Sequence, residues 1–386
     1  MNKPTVGVFF GSRSAEHDIS IVTALAAIIK PLELSGKYSA LPVYITKDGR
    51  WFADKKIADI SLFTSGKIEK FLKAQKPVKL LFKDGLVLCK GRRKQIKIDI
   101  AFPATHGTHG EDGELMGVFE MANVPYVGCG VAASAIAMDK ILAKQIITSA
   151  GLPTPDWVWF NKQNYADSPA SWIKQIEGKL KYPMFIKPAR LGSSIGISKV
   201  LNTTELKNAI EVAMHYDDRI LAEQAIPNLY EVTLPIMGNE DPKPALLEHP
   251  LTKAEDYFDF ETKYINGGKK GGKKMGGQQG AQGYSEVPAK LKEDLYKKAE
   301  ALALGVYKTI GCEGIARVDL LIDEKTQKAY FNEVNPLPGS LYAHNWSKAG
   351  ISSVELVEAL IGYGKDRWQK QQSRATTFDT NFLKQF

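Results

Sequence analysis

Hydrophobic and polar positions change period several times along this chain. Residues 6–10 form a short apolar run that predicts a buried strand. After a Gly-Ser turn, apolar positions at helical spacing predict a helix over 19–29. Residues 40–46 predict a second strand closed by Lys47-Asp48-Gly49, and residues 98–103 a third. Residues 114–123 predict a helix with Leu115, Val118, Phe119 and Ala122 along one face. The region from Trp51 to Lys97 reads as short-stranded and basic. Strand and helix alternating in this way predict a parallel α/β first domain.

Beyond the junction Gly128-Cys129-Gly130, residues 132–150 predict one helix, stopped by Gly151 with Pro153 and Pro155 just after it. Strands are expected at 157–160, 184–187 and 220–223, with a helix at 204–214. A third region begins near Glu231. It carries two strand-like runs, 316–322 and 330–335, joined by the turn-prone Asp323-Glu324-Lys325-Thr326. Residues 265–285, rich in Gly, Lys and Gln, predict a flexible loop, and the polar stretch after Tyr363 a peripheral tail.

At 386 residues the chain exceeds one ordinary core, so two or three domains are expected. A 44% hydrophobic and 24% charged composition belongs to a globular chain, not a disordered or fibrous one. No apolar run reaches the roughly 18 residues of a membrane span. Met1 to Thr5 lead straight into the first strand with no charged-then-apolar leader. Cys89, Cys129 and Cys312 contain no Cys-x-x-Cys, which argues against a disulfide framework or zinc site and fits a reducing cytoplasm. The net charge of +8 is partly local, in Lys90, Arg92, Arg93, Lys94 and Lys97 and in Lys269, Lys270, Lys273 and Lys274. Neither cluster interleaves aromatics, so solvated turns and a mobile loop account for them better than specific nucleic-acid binding.

The last two strands carry the sharpest chemistry. Alternation puts Arg317 and Asp319 on one face and Glu333 and Asn335 on one face. With a hairpin centred near Thr326, Asp319 lies opposite Glu333 and Arg317 opposite Asn335. Converging carboxylates and an amide oxygen call for a cation, and oxygen-only ligands suit Mg²⁺ beside substrate phosphates. Upstream, a strand delivers Lys187 to a turn containing Gly192, Ser193, Ser194 and Gly196. Such a turn can aim N–H groups at a phosphate, and it reads equally well as an ordinary hairpin turn. Residues 220–226 followed by Glu231 admit an edge strand against a purine, although a strand merely leaving the core is the stronger reading there. His106 follows a buried strand, where α/β sheets bind ligands. Gly128 to Ala133 match the dinucleotide fingerprint only formally, because no acidic residue ends a second strand at the required distance. Gly267 to Lys274 miss the phosphate-loop pattern at the final residue.

Read in order, these motifs resemble the ATP-grasp ligases, and in particular the D-alanine–D-alanine ligase family, from about Val6 to Gly364. The residues that carry the likeness are Ser14-Ala15-Glu16, His106-Gly107 with Gly110-Glu111-Asp112-Gly113, and Met138-Asp139-Lys140. The Lys187 loop, Glu261-Thr262-Lys263-Tyr264, and Glu333-Val334-Asn335-Pro336 with Pro338-Gly339 complete it. The resemblance implies an α/β ATP-grasp fold of three domains: an N-terminal parallel α/β domain (1–128), a central α+β domain (129–228) and a C-terminal α+β domain (229–365). It further implies a lid at 259–287 and a peripheral tail at 366–386.

It also implies that Lys140, Lys187, Ser194 and Lys263 meet the nucleotide, that Glu223, Gln224 and Ile226 meet the adenine, and that Glu231 meets the ribose. Asp319, Glu333 and Asn335 would hold two Mg²⁺ ions, with Mn²⁺ as a substitute. Glu16 would engage the first D-alanine, linked through Ser193 to Tyr264, while Arg317 and the Gly339 N–H form the oxyanion site. Tyr264 favours an amine as second substrate. After Gly339 the pattern departs from the family, with His344 where a carboxylate-binding Ser is usual. Ser340, His344 or Asn345 would replace it, and His106 joins Ser340 and His344 on the substrate side.

The implied function is ATP-dependent ligation of two D-alanine molecules for peptidoglycan synthesis in the cytoplasm, with a homodimer as the common assembly and no membrane or specific nucleic-acid partner. The competing readings are a ligase using D-serine, D-lactate or another amino acid as second substrate, a non-catalytic ATP-binding protein, and nucleic-acid binding through 269–274.

Overall fold

The alternation in the first third folds into a sheet with Ser39–Ile45, Thr5–Gly11 and Ile100–Pro103 parallel and Trp51–Ala53 as an antiparallel edge. Val6, Val8, Phe9 and Phe10 are all fully buried, because helices and loops cover both sheet faces; such strands read as continuous apolar runs. The computed structural model describes residues 3–83, 85–91, 94–251, 285–375, 380 and 382–386. The expected helix at 19–29 is longer, running from His17–Val22 through a π-helical stretch, Thr23–Ile29, to Lys30–Ser35. It ends at Gly36 with φ 68°, a left-handed position that suits a residue without a side chain. The basic region does hold short strands, Val78–Phe82, Leu86–Lys90 and Lys94–Ile98. It also holds helices at Ser61–Thr64 and Ile68–Lys73, too short to show a period.

The single helix expected at 132–150 is two helices, Val131–Met138 and Lys140–Ser149. Asp139 separates them: its ψ of 102° breaks the helical backbone, and its carboxylate accepts from the N–H groups of Ile141 and Leu142 at 3.0 Å each. An N-cap restarts a helix where composition alone sees no interruption. The second sheet is antiparallel and ordered Ser198–Val200, Met184–Pro188, Arg219–Gln224, Trp157–Asn161. Arg219–Gln224 is therefore an interior strand, not an edge, with its backbone groups paired on both sides.

The third sheet is ordered Lys243–Pro244, Leu229–Met237, Ile315–Asp323, Lys328–Asn335. Asp319 does face Glu333, and Arg317 faces Asn335. This register depends on a bulge: beyond Asp319, Leu320 pairs with Phe331, leaving Asn332 as an extra residue. Without it the pairing that starts at Asp323 and Lys328 would place Asp319 opposite Asn332, and each acid would face the wrong neighbour.

Packing crosses the expected domain limits. The core of the second sheet is its own, around Phe160, Ile186, Ile210 and Ile220. The helix pair Val131–Met138 and Lys140–Ser149 instead shares its core with the third sheet, through Ala133, Ala143 and Ile147 against Val232, Leu320 and Phe331. The expected tail also begins later. Helix Ser353–Gln372 packs Leu356, Val357, Leu360 and Ile361 into the core of the first sheet, and its Arg367 is buried, donating to the carbonyls of Gly128 and Tyr126. A side chain at Gly364 would collide with the Tyr126 carbonyl, whereas Gly362 on the same helix has open space beside it. Gly364→Ala is expected to lower stability by about 1–3 kcal/mol through overpacking. Gly362→Ala is expected to leave stability unchanged or raise it by up to about 1 kcal/mol. Paired thermal denaturation of the two variants checks both.

Candidate active site

One face of the third sheet collects the acids. Glu231 lies on Leu229–Met237 opposite Leu321, and Thr233 next to it along that face lies opposite Asp319. Arg317 grips Asp319 with two hydrogen bonds, Nε to Oδ1 at 2.7 Å and Nη2 to Oδ2 at 2.5 Å. Asn335 donates to Asp319 Oδ2 at 3.1 Å. Burial pushes the Asp319 carboxyl up to about 6 against the pull of Arg317, with Glu333 and Glu231 adding repulsion. A cation at this face would reverse that balance, since a bound ion is the largest local charge. The donor set of Asp319, Glu333 and Asn335 is oxygen-only and fits a hard divalent ion such as Mg²⁺.

Lysines reach this face from two other elements. Helix Lys140–Ser149 carries Lys140 and Lys144 one turn apart, so both project to the same side. Lys140 Nζ donates to the Leu191 carbonyl at 2.6 Å and lies 3.5 Å from Glu333 Oε2, tying the Ser193 loop to the hairpin. Lys187, at the end of its strand, donates to Glu223 Oε1 at 2.6 Å and to Asn332 Oδ1 at 3.4 Å. Lys144 Nζ takes the other oxygen of Glu223 at 2.5 Å. Glu223 and Lys144 are each only 1% exposed at the side chain. Burial would raise the Glu223 carboxyl, but the two ammonium groups outweigh it and hold it down at about 2. Gln224 uses its amide on Lys181 and Pro183, at 2.8 to 3.1 Å, and Ile226 is half-buried just beyond.

Glu16 comes from the other side of the cleft. It follows the first strand and accepts a hydrogen bond from Ser193 Oγ, which joins the first sheet to the Lys187 loop. Burial raises its carboxyl, and the Ser193 bond and the charges of Lys140 and Arg317 oppose the rise. A side-chain carbon at Gly107 or Gly192 would come within 2.9 Å of Glu16 Oε2. Two loops therefore close on this carboxylate only because both present glycine there. Ser193 and Ser194 adopt φ of 53° and 59°, the left-handed geometry that turns successive N–H groups to one side.

His106 is buried, with Nε2 2.8 Å from Thr23 Oγ1, and burial pulls its imidazole down to about 4 against a bond to the Leu337 backbone. Thr23 in turn accepts from the Ser340 N–H at 2.9 Å. His106 and Thr23 thus support the loop bearing Gly339 and Ser340 from behind. His344 Nε2 lies 2.9 and 3.1 Å from the two oxygens of Glu248, and Asn345 donates to the same carboxylate at 2.9 Å. Tyr342 stacks under the Arg317 guanidinium at 5.1 Å.

The structure pairs Glu16 with Ser193, Lys140 with Glu333, Lys187 with Glu223, and Arg317 and Asn335 with Asp319. Lys263, Tyr264 and nearly all of the expected lid lie outside the described residues. Lys144, Asn332, Thr23, Glu248 and Tyr342 were missed by motif reasoning. Lys144 had a signal, its spacing of four from Lys140, and so had Thr23, a polar residue on an apolar helix face. Asn332 had none, because its position depends on the bulge.

The chain as a whole is similar to known proteins of one family. Residues 5–129 match the family model described as D-ala D-ala ligase N-terminus, and residues 146–362 match D-ala D-ala ligase C-terminus. A D-alanine–D-alanine ligase of Chloroherpeton thalassium is 36% identical, over 97% of this chain and all of its own. The D-alanine–D-alanine ligase structure from Coxiella burnetii superposes with a TM-score of 0.79 at 27% identity, covering 96% of this chain and 97% of its own. VanG D-Ala:D-Ser ligase from Enterococcus faecalis superposes at 0.76 and 29% identity, covering 94% and 100%.

Mn²⁺ binding, followed by loss of the free-ion paramagnetic signal, is expected to weaken at least about tenfold in Asp319→Asn. Asp323→Asn, at the far end of the same strand, is expected to bind Mn²⁺ as the wild type does.

Proposed function

The chain belongs to the D-alanine–D-alanine ligase family, and from that premise we propose how its own residues conduct the reaction. The activity is ATP-dependent joining of two D-alanine molecules into D-alanyl-D-alanine, through an acyl phosphate, for peptidoglycan precursor synthesis. The observation that carries the residue assignment is the Ser193–Glu16 hydrogen bond, which joins the loop beside Lys187 to a half-buried carboxylate near Arg317.

Glu16 takes the ammonium of the first D-alanine, and its carboxylate is thereby directed towards the phosphates. Attack of that carboxylate oxygen on the terminal phosphorus breaks the bond to ADP and makes the acyl phosphate. Lys187 and Lys140, with the N–H groups around Ser193 and Ser194, bind the phosphates. Glu223, Gln224 and Ile226 border the adenine, and Glu231 the ribose. Asp319, Glu333 and Asn335 hold two Mg²⁺ ions, or Mn²⁺, which when bound neutralise phosphate charge. The second D-alanine attacks as a neutral amine; the carbonyl becomes a tetrahedral oxyanion, and phosphate leaves as the amide forms. Arg317 and the Gly339 N–H stabilise that oxyanion.

Lys263 and Tyr264 are assigned by resemblance to the nucleotide and to the Glu16–Ser193 link. The second carboxylate falls to the segment bearing Ser340, His344 and Asn345. Functional division is proposed near 1–128, 129–228 and 229–365 with a lid at 259–287. The exceptions are that the helix pair 131–149 belongs by packing with the third sheet and that the tail starts only after helix Ser353–Gln372. ATP and precursor supply place the reaction in the cytoplasm, and the assembly is a homodimer, which light scattering tests.

Phosphate release from ATP is expected with D-alanine alone and to exceed that with D-alanine plus D-serine or D-lactate as the limiting second substrate. Absence of release with D-alanine alone would overturn the assignment in favour of a mixed ligase. Arg317→Ala is expected to lower kcat about 10²–10³-fold, the usual cost of losing one oxyanion donor.

A further inference from the structure

Lys144 stands among the largest fully buried side chains, in the company of Trp346, Tyr307 and several Phe residues. Its ammonium is enclosed between Glu223 Oε2, at 2.5 Å, and the Phe331 ring, whose centroid is 5.6 Å away. Fold stability alone gives no reason for this arrangement. A buried ion pair exchanged as a unit for apolar groups of similar volume is commonly neutral or stabilising.

Charge balance supplies a reason. Glu223 is fully enclosed and holds two ammonium groups, Lys144 on Oε2 and Lys187 on Oε1. Two cations and one carboxylate leave the cluster with an excess positive charge in a dry place. The two lysines are not equivalent. Lys187 is the more exposed, has a second contact at Asn332, and ends the strand that feeds the Ser193 loop. Lys144 faces only inward. When Lys187 turns away from Glu223 towards an anion, Glu223 remains paired with Lys144 and stays ionised in place. Were Lys144 neutral, Lys187 would be the sole counter-ion of a buried carboxylate. Pulling it away would leave that charge uncompensated, which is strongly unfavourable in low dielectric.

We propose that Lys144 is a positioning residue for the nucleotide, the standing counter-ion of Glu223 that frees Lys187 to meet the phosphates. The inference rests on the assignment of Lys187 to the phosphates given above.

The test uses the full-length enzyme and calorimetric titration with ATP, alongside steady-state kinetics. Lys144→Met is expected to raise the Kd and KM for ATP about tenfold or more while KM for D-alanine stays within about twofold. In the Glu223→Gln background no buried carboxylate needs a counter-ion, so adding Lys144→Met is expected to change ATP affinity by less than about threefold relative to Glu223→Gln alone.

An unchanged ATP Kd in Lys144→Met overturns the proposal, as does a double variant that binds ATP about tenfold more weakly than Glu223→Gln alone. If Lys144→Met fails to fold, the double variant compared with Glu223→Gln decides: equal ATP affinity supports the proposal, and a further loss of about tenfold overturns it. Lys187→Met tests the underlying assignment separately. If it binds ATP as tightly as wild type, Lys187 does not meet the phosphates and both readings fall. If wild type binds ATP but releases no phosphate with D-alanine, only the substrate assignment falls.

Discussion

Charges of like sign meet where the three sheets converge, and each is tolerated because an opposite charge or a hydrogen-bond donor reaches it. Asp319 has Arg317 on its own strand and Asn335 across the hairpin; Glu333 has Lys140 from a helix. Glu223 has Lys144 from that same helix and Lys187 from the neighbouring strand, and Glu16 has Ser193 from the loop beyond it. An unpaired charge so placed costs several kcal/mol, so the elements are held in the one arrangement that pairs them all. A substrate carrying phosphates and a carboxylate enters a lattice in which these groups already have partners, and it must exchange partners within it.

The helix Lys140–Ser149 is central to that lattice, although no single motif marks it as such. Asp139 starts it, through bonds to the Ile141 and Leu142 N–H groups, and is itself paired with Arg219 of the second sheet. Its apolar side, Ala143 and Ile147, is buried with the third sheet. Its charged side faces the second sheet through Lys144 and the hairpin through Lys140. One helix thus fixes the spacing of the two sheets whose facing residues form the site, and a shift in its cap or packing would reach both lysines together.

The substrate end is built differently. Glu16 is enclosed by two loops that approach it at glycines, and the loop bearing Gly339 and Ser340 rests on Thr23 and His106. A buried His106 supports that loop through Nε2 to Thr23 and through the Leu337 backbone. His344, at the point where the family pattern loosens, is held by Glu248 along with Asn345. The Arg317–Asp319 pair thus stands apart from the segment after Gly339, which has its own local network.

Much was legible in the chain because it depends on short-range period. Apolar runs marked the parallel strands, alternation put Arg317 with Asp319 and Glu333 with Asn335, and glycines marked turns that need left-handed φ. The expected pairing of Asp319 with Glu333 is found, but the turn that pairs Asp323 with Lys328 reaches it only through the bulge at Asn332. Tertiary structure decided what local period cannot carry. The bulge at Asn332 holds that pairing in register and brings an amide to Lys187, yet an inserted residue leaves no periodic trace. The break at Asp139 arises from a side chain capping its own backbone, and the interior place of Arg219–Gln224 from strands far away in sequence. Above all, the partner of a buried charge is set by packing between distant segments. Sequence showed which residues carry charge, and only the fold decided that Lys144, invisible as a motif, shares Glu223 with Lys187.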